Sequence, residues 1–192
     1  MKKFLSIIVA LVMALSFAAC ENGENPAGLQ GEDGDFDVEV VMPASFFDEK
    51  TPTEIMDDAE ASGFISCEIN PDGSVKYVMT KEKHKEMLDA IKAGFDIGVK
   101  TLLEGQEKVA SFVSVEYNDD FSEVSVFVDG EQYSIWDSLY AMTFYFTGAY
   151  YQSFAGVPED EIDIVVNFID NATKKILETS SYQEFQKAGA GN

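Results

Sequence analysis

Hydrophobic and polar positions along this chain change their period several times, and each change marks an element. Lys2 and Lys3 precede an uncharged apolar run from Phe4 to Ala19, the basic start and greasy middle of an export signal. The run holds about 16 residues, short of the roughly 20 that a membrane-spanning helix needs. An acidic, glycine-rich stretch follows it instead of a basic flank, so residues 1–19 are expected to be removed. Residues 20–35 carry one Leu among Gly, Glu, Asp, Asn and Pro, too little apolar surface to offset chain entropy, and read as a tether.

A single folded domain is expected over 36–187, with a disordered tail at 188–192. Phe36, Val38 and Val40 alternate with polar neighbours, a first strand that Pro43 ends. Thr51, Pro52 and Glu54 form a capping box with proline at the first helical position, Ile55, Met56 and Ala59 give the apolar face, and Gly63 is placed to terminate the helix. Three strand pairs follow, each around a turn: 64–69 with 75–79, 112–117 with 124–128, and 162–168 with 176–179. Helical stretches at 81–104 and 134–155 separate them. The spacing suggests a diverged strand–strand–helix repeat, although no residue-level signature common to the units is evident.

This order predicts an α+β fold: one antiparallel sheet of three hairpins plus the N-terminal strand, with two long helices and one short helix on one face. The first long helix shows a stripe of His84, Leu88, Ile91, Phe95, Val99 and Leu102. The second carries only Asp137 as a charge and is crowded with Trp136, Tyr140, Phe144, Tyr145, Phe146, Tyr150, Tyr151 and Phe154. A helix apolar on every side is buried or lies in a membrane. Thr143, Thr147, Gln152 and Ser153 dilute a span, so it is expected to be the central core helix, covering inward faces such as Val113 with Val115 and Ile162 with Ile164. A second reading leaves its aromatic edge, Trp136, Tyr140, Tyr145, Tyr150 and Tyr151, as a surface for a protein partner or an apolar ligand.

Composition narrows the function classes. The chain holds 13 Lys and Arg, all of them lysines, against 35 Asp and Glu, a net charge of −22 that becomes −24 once Lys2 and Lys3 leave with the leader. Nucleic-acid binding needs a basic stripe to neutralise phosphates, and none is present. Asp33, Asp35 and Asp37 alternate like a calcium loop, but Val38 stands where the turn glycine belongs and Ala44 where the bidentate Glu belongs. His84 is the only histidine and cannot seed a zinc site alone. Cys67 alternates with Ile65 and Ile69 as a small buried hydrophobe would. Serine-hydrolase, metalloprotease and phosphate-loop patterns are missing from the sequence. Carboxylate pairs, Asp57-Asp58, Asp119-Asp120 and Glu159-Asp160-Glu161, keep a carboxylate-based extracellular hydrolase as the rival reading. Neither a cofactor nor a metal is expected.

Ala18-Ala19-Cys20 resembles the lipobox of bacterial lipoproteins, with Phe17 where Leu is usual. The resemblance implies that Cys20 receives diacylglycerol and that the membrane is a partner through that lipid, on its extracytoplasmic face. Met42-Pro43-Ala44-Ser45-Phe46-Phe47 and the run from Met79 to Met87 look like segments of small lipoproteins from Gram-positive anaerobes. That likeness implies location only and carries no functional residue. The expected function is non-enzymatic: a lipid-anchored protein that binds or supports another envelope component.

Overall fold

The computed structural model describes residues 37–105 and 108–189. The leader, Cys20, the tether and Phe36 lie outside the described residues. The fold is α+β, as the alternation of hairpins and helices predicts, and its contacts cluster into two compact units that divide between Ala90 and Ile91.

In the first unit, β1 (Val38–Met42), β2 (Ser66–Ile69) and β3 (Val75–Met79) form a sheet in the order β1-β3-β2, antiparallel throughout. Central β3 buries Val75, Tyr77 and Met79, and β1 adds Val40 and Met42 on the same side. Helix α1 (Pro52–Ala61) starts where its sequence says it should. The Glu54 amide donates to the Thr51 hydroxyl at 3.3 Å, and the Thr51 amide donates to the Glu54 carboxylate at 2.7 Å. Two amides without a helical partner are thereby satisfied. Gly63, with φ +74°, lets the chain leave the helix, and Phe64 then packs its ring 4.8 Å from that of Tyr77.

The second unit holds β4 (Phe112–Tyr117), β5 (Glu123–Val128), β6 (Val165–Asp170) and β7 (Ile176–Ser181) in the order β4-β5-β6-β7. Here the single antiparallel sheet expected from sequence is corrected twice. The strands make two sheets: β1 pairs with β3, and the first hairpin pairs with neither later one. Moreover, β5 and β6 pair in parallel. Between them runs α3 (Ala141–Phe154), whose 14 residues rise about 21 Å at 1.5 Å each. Such a crossover returns the chain to the starting end of the sheet, which makes the next strand parallel.

α3 is the central packing element of this unit: ten of its 14 residues are buried, Phe144, Tyr145, Tyr151 and Phe154 among them. A Cβ on Gly148 would stand 2.5 Å from Ile164 Cγ1, so the bare backbone is what permits this approach. The helix is shorter than the 134–155 expected, because Asp137–Tyr140 is a 3-10 turn. Among the described residues no helix is long and apolar enough to cross a membrane. Val113, expected inward, is 47% exposed because the β4–β5 register shifts between Phe112 and Ser114 and turns it outward. Of the stripe on the long helix α2 (Lys81–Glu104), Ile91, Phe95 and Leu102 are buried together with Met87, whereas His84, Leu88 and Val99 are half-buried.

The structure also supplies the shared signature that the sequence reading lacked. Asn70-Pro71-Asp72-Gly73-Ser74 and Asn118-Asp119-Asp120-Phe121-Ser122 are one turn, Asn-x-Asp-x-Ser. In both, the Asn amide donates to the Ser hydroxyl, at 2.9 and 2.8 Å. The Ser amide and hydroxyl both donate to the Asp carboxylate, the amides at 3.0 Å in each. The fourth residue donates its amide to the Asn carbonyl and has positive φ, +87° at Gly73 and +59° at Phe121. The third hairpin turns differently, with its left-handed residue at Lys174.

Candidate functional site

Large apolar side chains exposed one at a time are ordinary on protein surfaces. The segment before α3 is different, because Ile135 (67% exposed), Trp136 (73%) and Leu139 (57%) fall within five residues. Its local structure explains why they stay out. The Ser134 amide donates to the Asp137 carboxylate at 2.9 Å, the reciprocal half of a capping box. The Asp137 amide returns a bond to the Ser134 carbonyl, also at 2.9 Å. Ile135 and Trp136 therefore sit in a first turn, ahead of the helix that packs. The Ser111 hydroxyl donates to the same Asp137 oxygen at 2.9 Å and ties the turn to the residue before β4.

Two tyrosines pin the ends of the segment. The Tyr133 hydroxyl donates to Glu178 Oε2 on β7 at 2.7 Å, and its ring centroid lies 5.4 Å from that of buried Phe168. Burial, then the neighbouring Glu178 carboxylate, push the Tyr133 phenol well above its ordinary value, so it stays a donor throughout the physiological range. At the other end Tyr140 packs edge-on against Phe112 at 5.6 Å. Ile135, Trp136 and Leu139 are thus held outward between two half-buried anchors.

Of the five aromatic residues that the sequence offered as a binding edge, the structure exposes only Trp136. Tyr140 and Tyr150 are half-buried, the latter packed on Phe154 at 5.3 Å. Tyr145 and Tyr151 are buried and belong to the core. Tyr145 lies against Tyr182 and Phe185 beside α4 (Tyr182–Gly189), and Tyr151 lies 4.8 Å from Phe121. All-round apolarity marks a helix as buried but cannot say which side chain finds water, since α3 is enclosed on nearly every side. Ile135 and Leu139 were missed as surface residues. The pattern Ser134-Ile135-Trp136-Asp137, a capping serine with a carboxylate three residues on, could have marked the turn.

The other candidates carry less. Cys67 is half-buried on edge strand β2, less enclosed than its alternation implied, and burial pushes its thiol up, away from the thiolate. Asp58 of the first carboxylate pair joins Lys50 in an ion pair at 2.5 Å. Among the described residues no three His, Cys, Asp or Glu side chains gather as a metal site would require. Among the described residues four carboxyls are displaced from their ordinary value, and all move down: Glu54 through the Thr51 amide, Asp72 through the Ser74 hydroxyl, Asp120 through the Ser122 amide and Asp170 through the Thr173 amide. A catalytic acid is tuned in the opposite direction. No protein-family model, curated protein or solved structure matches the chain.

Proposed function

We propose that this protein is an extracytoplasmic lipoprotein, held at the membrane by lipid on Cys20, that binds another envelope component through Ile135, Trp136 and Leu139. The observation carrying the reading is the pinned, outward display of these three side chains. Exposing them leaves apolar surface in water, where each would gain about 1.5 to 3 kcal/mol if fully buried. A partner that covers them recovers part of that. Trp is also among the side chains that most often dominate an interface energetically. The carboxylate-hydrolase reading gains no comparable support, since the displaced carboxyls serve turns and caps.

The test is photo-crosslinking in intact cells, with a photoreactive amino acid at Leu139 and, for comparison, at exposed Lys187. Adducts are expected at 139 and not at 187, and they should fade when Cys20→Ala prevents anchoring. A clickable fatty acid should label the parent chain but not Cys20→Ala. Equal adducts at both positions, or none at 139, would refute the binding surface; label retained by Cys20→Ala would refute the anchor.

A further inference from the structure

We infer, resting on that binding reading, that the partner covering Ile135, Trp136 and Leu139 is a basic polypeptide segment that sets an apolar side chain beside Lys or Arg. Charge complementarity selects this partner. Asp129, Glu131 and Asp137 belong to the displayed segment or its approach, and two more carboxylates are brought to it by the fold. The Tyr133 hydroxyl holds Glu178, and Asp170 packs so closely on Gly130 that a Cβ there would overlap its carboxylate. Between Lys108 and Lys174 the chain carries twelve carboxylates and no lysine. Lys174 and Lys175, in the β6–β7 turn, do not balance five carboxylates. Lys174 is moreover engaged, bonded to Asn171 and set 4.8 Å over the Phe127 ring.

An exposed indole on a segment this rich in carboxylates suits a cation on two counts. The face of the Trp ring attracts Lys or Arg through its quadrupole, and the carboxylates of the segment and its approach steer a positive partner toward it and repel a negative one. The same physics weighs against two other occupants. A second copy would set this acidic segment against itself, in a chain of net charge −22. A phospholipid surface rich in anionic headgroups meets the same repulsion.

Trp136 is the only tryptophan in the chain, so its emission reports on this surface alone. The test titrates the mature protein, from Cys20 on, with a labelled peptide of alternating Leu and Lys and with its Leu and Glu counterpart. The Lys peptide should move Trp136 emission to shorter wavelength and shield it from acrylamide; the Glu peptide should do neither. Binding of the Lys peptide, followed by anisotropy, should weaken about thirtyfold in Trp136→Ala. It should also weaken about tenfold or more between about 20 and about 500 mM NaCl. Glu131→Gln should weaken it more than Glu60→Gln, which removes an equal charge from α1.

Three results would overturn the inference: no emission change with the Lys peptide, the same change with the Glu peptide, or affinity that Trp136→Ala leaves intact. A shift produced by phosphatidylglycerol vesicles and not by the Lys peptide would assign the surface to the membrane. A shift with protein concentration alone would assign it to a second copy. Crosslinks at position 139 without a peptide response would reject only the partner class, whereas loss of both would reject the binding reading itself.

Discussion

Phe121 stands where the first hairpin has Gly73, and comparing the two turns yields a prediction with an unusual sign. The residue is fully buried, its ring 5.0 Å from Phe95, 4.6 Å from Tyr117 and 4.8 Å from Tyr151, yet its backbone has φ +59°. A left-handed L-residue costs roughly 1 to 2 kcal/mol, and burial of the ring more than offsets it. Phe121→Ala removes the ring and keeps the strain, for a loss of about 3 to 5 kcal/mol. Phe121→Gly removes the same ring and relieves the backbone, so it should be about 1 kcal/mol more stable than the alanine variant.

At Phe144, equally buried but in the middle of α3, the order should reverse, with glycine about 1 kcal/mol below alanine. Urea denaturation followed by far-UV circular dichroism measures both pairs, since Trp136 is too exposed to report on packing. If either loss proves too large to leave a folded baseline, Gly73→Ala gives the converse. There φ is +87° and the new Cβ meets Ala44 Cβ at 3.1 Å, so alanine should cost about 1 kcal/mol or more. Phe121→Gly no more stable than Phe121→Ala, together with a neutral Gly73→Ala, would refute the strain argument.

Three further outcomes are expected. Gln152 donates to the carbonyls of Asp120 and Asp163 and accepts from the Asp163 amide, so Gln152→Met should cost about 2 to 3 kcal/mol in the same denaturation assay by leaving those groups without partners; a neutral result would show that water replaces it. Gly148→Ala should destabilise by about 1 to 3 kcal/mol, and its added cost should shrink in an Ile164→Ala background, which removes the Cγ1 that the new Cβ meets, if the clash with Ile164 is the cause. Tyr117 is pushed up to about 12, first by burial and then by its hydrogen bond to Asp96, above an ordinary value near 10. The folded state therefore holds this proton more tightly: its stabilisation is complete below pH 10 and is lost as the pH rises toward 12. Ultraviolet titration of the parent minus that of Tyr117→Phe should leave a single phenolate step near pH 12, and a difference step near pH 10 would contradict the packing.

The sequence by itself determined the elements whose causes are local. Thr51, Pro52 and Glu54 specify the start of α1, because a capping box is satisfied within four residues. The hairpins at Asn70 and Asn118 follow from turn chemistry of equally short range. The apolarity of α3 fixed its burial, since no face of it could meet water. What only the tertiary structure decided depends on partners distant in the chain. Whether the hairpins share a sheet turns on which strands pair along their edges, and β1 pairs with β3 while no strand of the first unit pairs with β4 to β7. That β5 and β6 run parallel follows from the path of α3 across the sheet, a property of three elements together. Exposure within the aromatic run was settled the same way: Phe121, Tyr182 and Phe185 cover Tyr151 and Tyr145, and Phe112 and Phe168 anchor Tyr140 and Tyr133. Trp136 remains in solvent because the turn that carries it is pinned on both sides by residues far away in sequence, and hydrophobic periodicity records which side chains want burial but not which find something to be buried against.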